Sequence, residues 1–521
     1  MERIRPEGFR MKRWRWHFLI LLICLPVALL ATGWRVPFLG GENPGARVLA
    51  VPAGDQELAW LHTTTSTNAW ERFVFGMVRA QMDVPGLEVD DSGAFRDSST
   101  DVPELALSMA GRPGRVLIRW YKLRSDAGVA EWVNALASRR PAPVGIIGGG
   151  STDRAVELAL ALDARTEWRG DRPALLITTA TADRVAPQDN PLGAPPLLVD
   201  LYANRSFRFC FTNRQMADAV LDFIARNPEL KPQLFTDAAR AGVLSGMYFA
   251  RPVGNWKPNV FSVQWNDDPY STDLHEQFKE SLLDRSNPNP FDEPTFDFAR
   301  WDIPFSIGGF NKANSYESRT AESIARQILE MPSQRSLLIL PAVTQPARRL
   351  LNAIVEAYSG ARRRLVVVTG DGIPVNAMLR DGEFAWPMAQ LGVPVVFFTH
   401  ANPVGWDADP RKAPAGYALA PPNSTEEAAH FREMGRIVAL ACFPPGAPPA
   451  NRGNALVENL RSLKPAFFDG KGERLGGSGE HVVVALPRYR GSADEIEIWK
   501  RNAEGRWIHL DSIFPAAGGQ R

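Results

Sequence analysis

Two neighbouring stretches decide the fold: VGIIGGGSTDRAVELALALD, Val144–Asp163, and PALLITTATAD, Pro173–Asp183. A β-branched strand runs into three glycines, a hydroxyl pair and an amphipathic helix, and a second strand then ends in threonines. Gly148, Gly149 and Gly150 permit a sharp turn that brings backbone N–H groups close to a ligand. Ser151 and Thr152 stand where the helix N-terminus presents unpaired donors and positive dipole. The pattern describes a cradle for a carboxylate. A second reading stays open at this point, in which Ser151 or Thr152 is only the helix cap.

The same strand-then-helix unit recurs outward from this stretch. LAWLHTTTS precedes NAWERFVFGMVRAQ, and RVLIRWYKL precedes GVAEWVNALAS. Strands rich in Val, Ile and Leu alternating with helices predict a mostly parallel sheet flanked by helices, one α/β lobe over residues 47–203. A break at Pro187–Pro196 is followed by FRFCF and a helix opened by Thr212, with Gln215 completing a capping box. NVFSVQW, RSLLILP, RRLVVVTG and PVVFFTH then predict a second α/β lobe over 204–405, although the insert between Lys231 and Lys257 fits neither period. Trp406–Asn423, rich in Pro, Ala and Asp, reads as a connection. Ser424 with Glu427 opens a helix to about Ala441, Pro444–Gly453 is a loop, ALVENLRSL is helical, and HVVVALP and EIEIWKR are strands. Residues 406–521 are read as a connection and a return to the first lobe with C-terminal strands.

The chain has 521 residues, a length that suggests roughly two to four domains. Its 59 basic and 58 acidic residues nearly cancel, and no long basic run lies outside the N-terminus, which argues against nucleic acid as a partner. Arg3, Arg5, Arg10, Lys12, Arg13 and Arg15 precede the apolar stretch Phe18–Thr32, which Trp16 and Trp34 bracket. This arrangement keeps the start inside and places the rest outside the cytoplasm. Residues 1–46 are read as an uncleaved single-pass anchor and tether, with a cleaved signal peptide as the alternative. Of the three cysteines, Cys24 lies in the apolar stretch. Cys210 and Cys442 could pair or remain buried thiols.

Signals for catalysis are sparse. The seven histidines are scattered, and no zinc or phosphate-loop spacing is present. Ser151 lacks the second glycine of the G-x-S-x-G elbow, since Asp153 occupies that place. In WNDDPYSTD the acids Asp267, Asp268 and Asp273 supply oxygens of the kind calcium takes but lack the spacing and closing Glu of an EF-hand, so a turn with a helix cap is the main reading, and Tyr270 stands at a strand edge where open α/β sheets bind ligands. In TGDGIPVN, Asp371 between two glycines either stabilises a turn or receives a ligand ammonium. With a carboxylate at the glycine turn and an amine at Asp371, the ligand is a zwitterion. No cofactor, metal or catalytic residue is expected.

Taken in order along the chain, these motifs resemble the type I periplasmic solute-binding proteins, in particular the branched-chain amino-acid receptors of ABC transporters, the Leu/Ile/Val-binding-protein type. The tail shares the likeness, with helices from Glu426 and Ala455 followed by FFDGKGER and EGRW. LPAVTQP lacks the aromatic often found after that strand, and HTTTSTNAW differs from the usual glycine-containing loop. The resemblance covers roughly Leu58 to Leu510. It implies two lobes joined by three crossovers that close over a small ligand. Ser151 and Thr152 would hold the α-carboxylate, helped by Thr181 and the backbone near Thr179, with Tyr270 as an aromatic wall and Asp371 on the α-amino group. The implied partners are a small-molecule solute and an ABC transporter permease. A non-transport ligand-sensing or interaction protein of the cell envelope with the same fold is the alternative, and a hydrolase using Ser151 or Asp371 is a third.

Overall fold

The computed structural model describes residues 46–96, 98, 100–185, 195–228, 230–233, 258–265, 268–286, 296, 299–305, 314–330, 335–357, 364–373, 394–399, 425–445, 452–463, 481–487 and 496–498. The basic N-terminus and its apolar stretch lie outside these residues. Among the described residues no helix is long and apolar enough to cross a membrane.

Among the described residues two seven-stranded sheets carry the fold. The first contains β1 (Gln56–Thr63), β2 (Leu87–Asp90), β3 (Glu104–Met109), β4 (Val116–Leu123), β5 (Gly145–Gly148), β6 (Ala174–Ile177) and β7 (Ser206–Arg208), in the order β2-β3-β4-β1-β5-β6-β7. Pairing is parallel from β4 to β7 and antiparallel at β2 and β3. Every residue of β4, β5 and β6 is buried, as expected where helices cover both faces. The covering helices include α1 (Thr67–Ala80), α2 (Val129–Ser138) and α3 (Thr152–Ala164).

One charged cluster sits inside this lobe. Glu57, whose side chain is fully buried, pairs with Arg119 and Arg139 at 2.8 Å each and accepts the Tyr121 hydroxyl at 3.1 Å. Arg119 also donates to the Ala50 carbonyl at 3.0 Å, and Arg139 to that of Leu49 at 2.8 Å. The cluster thereby fastens the entering segment to the sheet, and Glu57 Oε2 takes most of its hydrogen bonds, from Arg119, Arg139 and Tyr121.

The chain first passes from one lobe to the other at Phe209–Phe211. Phe207 and Phe209 belong to the first lobe's core, whereas Phe211 belongs to the second and meets the Phe398 ring at 4.2 Å. Helix α4 (Asn213–Arg226) follows, and both bonds of its Thr212–Gln215 capping box are present. The second sheet contains β8 (Asn259–Trp265), β9 (Ala299–Phe305), β10 (Arg335–Ile339), β11 (Arg364–Val368), β12 (Val395–Thr399), β13 (His481–Pro487) and β14 (Ile496–Ile498), in the order β14-β13-β12-β11-β10-β8-β9. Helices α5 (Pro269–Ser286), α6 (Asn314–Glu330) and α7 (Thr344–Ala357) follow β8, β9 and β10. Helices α8 (Thr425–Cys442) and α9 (Gly453–Ser462) then return to the first lobe, where Phe431, Met434 and Leu456 join its core. Helix α8 lies close against α1 because a Cβ on Gly76 would stand 2.5 Å from the Phe431 Cβ.

Two expectations are corrected, and the open question of the cysteines is decided for buried thiols. The boundary placed at 203/204 moves past β7, which pairs parallel with β6 in the first sheet; most of the proline-rich break lies outside the described residues, and the chain on its two sides meets in the first lobe, with the Leu198 N–H on the Asp183 carbonyl at 3.0 Å. The C-terminal strands do not return to the first lobe, because β13 pairs antiparallel with β12 in the second sheet. Cys210 and Cys442 are both free and buried, and burial pushes the Cys442 thiol up to about 12.

Candidate functional site

The two lobes face each other across a cleft of about 390 Å³, within the size range of small-molecule sites. The first lobe contributes Trp60 and His62 from β1, Arg72 from α1, Gly150, Ser151 and Thr152 from the turn into α3, Thr178, Thr179 and Thr181 after β6, and Phe431 from α8. The second contributes Asp268 and Tyr270 at the start of α5, Val343 after β10, Asp371 and Gly372 after β11, and Phe398. The cleft therefore collects loops at the carboxyl ends of strands, where open α/β sheets place ligands. All six residues singled out from the sequence, Ser151, Thr152, Thr179, Thr181, Tyr270 and Asp371, meet on its wall.

On the first-lobe side, Gly149 adopts a φ of +73°, which turns the chain into α3. Ser151 occupies the cap position in an extended conformation but makes no side-chain cap bond; its hydroxyl donates to the Asp153 carboxylate. Thr152 is 2% exposed and Thr181 1%, and neither hydroxyl has a hydrogen-bond partner among the described residues. A buried, unpaired hydroxyl costs about 1–3 kcal/mol, a loss that a ligand acceptor in the cleft would offset. Thr179 is different. Its N–H bonds the Gly149 carbonyl at 3.2 Å and its hydroxyl donates to Gly150 at 3.0 Å. The Thr179 backbone, expected to help a carboxylate, is thus engaged in joining the two loops.

On the second-lobe side, the Tyr270 hydroxyl donates to Asp371 Oδ1 at 2.9 Å and accepts the Gly372 N–H at 2.9 Å. Cβ atoms on Gly370 and Gly372 would stand 2.6 Å and 3.0 Å from that hydroxyl oxygen, so glycine on both sides of Asp371 makes room for it. Burial first, and then the negative Asp371, raise the Tyr270 pKa well above its ordinary value. Asp268 accepts both the Ser271 N–H at 3.1 Å and its hydroxyl at 2.8 Å, which is the helix-cap arrangement. Asp273 accepts N–H groups from the first lobe. Asp267, the third member of the acidic loop, lies outside the described residues, and among those described no group of three or more His, Cys, Asp or Glu could hold a metal ion.

Sequence reasoning missed Trp60, His62, Arg72, Phe398 and Phe431. The signal available for the first two was their place at the carboxyl end of β1, two residues apart and therefore on one face. His62 Nδ1 accepts the Thr63 N–H at 3.0 Å, which leaves the proton on Nε2. Burial, aided by the positive Arg154, lowers the His62 pKa to about 4, so the ring is neutral at pH 7. The walls differ in chemistry: the first lobe offers N–H and O–H donors and Arg72, the second offers two carboxylates.

No family model matches the sequence, and no curated protein matches it. Solved structures do. The chain is similar in fold to solute-binding proteins of ABC transporters. One such structure is the leucine-, isoleucine-, valine-, threonine- and alanine-binding protein from Brucella ovis in its closed conformation, at 13% identity over 86% of this chain and 95% of that one, with a TM-score of 0.48. A solute-binding protein from R. palustris in complex with benzoate matches at 13% identity over 90% and 98%, with a TM-score of 0.47. A branched-chain amino acid ABC transporter periplasmic ligand-binding protein from Burkholderia xenovorans LB400 matches at 11% identity over 86% and 95%, also with a TM-score of 0.47.

Proposed function

We propose that the protein is an extracytoplasmic solute-binding protein that captures a small amino acid, or a related carboxylate or amide, between its lobes and presents it to an ABC-type permease. Its basic and apolar N-terminal segment would hold it at the membrane. One observation carries this reading: the hydroxyls of Thr152 and Thr181, buried and without a partner among the described residues, stand on one wall of the cleft whose other wall holds the Tyr270–Asp371 pair. A ligand with an anionic end and an ammonium end complements both walls. Closure of the lobes would exclude water and strengthen each contact. No reaction is required.

Thermal shift on the full chain in detergent, against amino acids, short carboxylates and amides, tests the proposal, because specific binding to the native state raises apparent stability. A hit among amino acids or carboxylates supports it. Silence across the whole panel removes it in favour of an envelope interaction protein. Small-angle scattering with a hit at saturation should show a smaller radius of gyration.

A further inference from the structure

The cleft's first-lobe wall carries two N–H donors that the carboxylate cradle at Ser151 and Thr152 does not account for. Trp60 is 1% exposed, lines the cleft, and its Nε1–H has no hydrogen-bond partner among the described residues. Its ring is fixed by Trp70 at 4.9 Å, Phe73 at 5.5 Å and Trp120 at 5.4 Å. The His62 ring lies 4.9 Å from Trp60, and a Cβ on Gly150 would stand 2.6 Å from His62 Nε2. The imidazole N–H therefore sits directly beside the glycine turn.

We propose that this wall selects a carboxylate over the matching carboxamide, and that Trp60 and His62 are the residues that set the preference. The inference rests on the solute-binding reading and narrows it, since that reading admits acids and amides alike. An indole N–H only donates, and His62 Nε2 only donates once Thr63 fixes the proton there. A carboxylate is acceptor-only and can take both. A carboxamide instead turns an NH₂ group toward one of these donors, or gives up one bond. Thr152 and Thr181 do not discriminate, because a hydroxyl rotates to donate or accept. The lowered pKa keeps His62 uncharged, so the preference comes from the direction of the hydrogen bonds rather than from a full positive charge at this position.

Calorimetry on the full-length protein tests this with L-leucine, L-phenylalanine and L-glutamate, each against its α-carboxamide. A hydrogen bond to a charged group contributes about 1.5–3 kcal/mol, so at least one acid should bind roughly tenfold or more tightly than its amide. His62→Gln offers either an N–H or a carbonyl oxygen, so it should retain acid binding while amide binding rises. A merely structural role would not produce that pattern. Trp60→Phe keeps the ring and should lower acid affinity with little change for the amide. Nitrogen-15 spectra of the unliganded protein should show His62 neutral and protonated at Nε2, and a proton on Nδ1 would overturn the assignment. If acids bind but the preference is absent, or unchanged in both variants, the selection mechanism fails while solute binding stands. If neither acids nor amides bind, the solute-binding reading fails and the selection proposal falls with it.

Discussion

The Asp273 carboxylate, on helix α5 of the second lobe, accepts the backbone N–H of Asp183 at 2.8 Å and that of Arg184 at 3.0 Å from the first lobe. Asn213, just past the crossover, donates to the same carboxylate at 2.8 Å. Asp183 in turn accepts the Arg214 N–H at 2.7 Å. These contacts bind the root of α5 to the place where the chain changes lobes.

A pH dependence follows from this contact. Burial, and then the nearby Asp183 charge, raise Asp273 from its ordinary 3.8 to about 6, and Asp183 is also raised despite the positive Arg208 and Arg214 beside it. Between about pH 4 and 6 the folded state holds a proton that the unfolded chain has released, so this group's contribution to stability falls as pH rises through that window. Asp273→Asn removes the titration. Melting wild type and variant from pH 4 to 7 should show the wild type losing stability relative to the variant as pH rises. A constant difference would contradict the assignment.

Asp371→Asn keeps an acceptor for the Tyr270 hydroxyl while removing the negative charge, so the protein should fold normally. A zwitterionic ligand should then bind at least roughly tenfold more weakly by calorimetry, whereas Ser151→Ala should cost less because backbone donors remain. Unchanged affinity in a folded Asp371→Asn protein would reduce Asp371 to a partner of Tyr270.

Two adjacent glycines should respond differently to alanine. At Gly149 the φ of +73° makes any side chain strained, at a cost of about 1–2 kcal/mol, which urea denaturation should detect. At Gly150 the added Cβ meets the His62 ring, so Gly150→Ala should displace the imidazole and weaken ligand binding with a smaller change in stability.

Glu57→Ala removes the buried carboxylate that Arg119 and Arg139 share; Arg119 keeps Glu104 at 2.7 Å and Arg139 keeps only the Leu49 carbonyl among these partners, so the loss should be roughly 3 kcal/mol in urea denaturation, the low end for breaking a buried pair. The Arg115–Asp55 pair also measures 2.8 Å, but its arginine side chain is 47% exposed. Arg115→Ala should therefore change stability by less than about 1 kcal/mol. Equal losses would mean that burial does not separate the two pairs.

Local chemistry was legible in the sequence. NVFSVQW is β8 to the residue, and Thr212 with Gln215 forms the box its spacing predicts. Weaker local signals failed. LEVD, Leu87–Asp90, is too short to show a period, and ARWDIPF, Ala299–Phe305, carries Pro304 and two charges that an edge strand tolerates. The walls of the cleft divided in the same way. Ser151, Thr152 and Asp371 belong to recognisable turns, whereas Phe431 reaches the cleft only because α8 packs on α1, a relation that no local pattern encodes. The same holds for β13, whose sequence reads as a strand without naming its partner.

The return of α8 to the first lobe has a consequence for how the protein is made. Trp70, Phe73 and Met77 form the inward face of α1, and Phe431 and Met434 of α8 share their core. On the ribosome that face emerges early, while α8 appears only after the second sheet has been synthesised through β12. At ~5–20 residues per second the wait is on the order of tens of seconds. Until translation reaches α8, the chain made so far lacks the helix that covers this aromatic face in the folded protein. The lobe that is begun first is completed late.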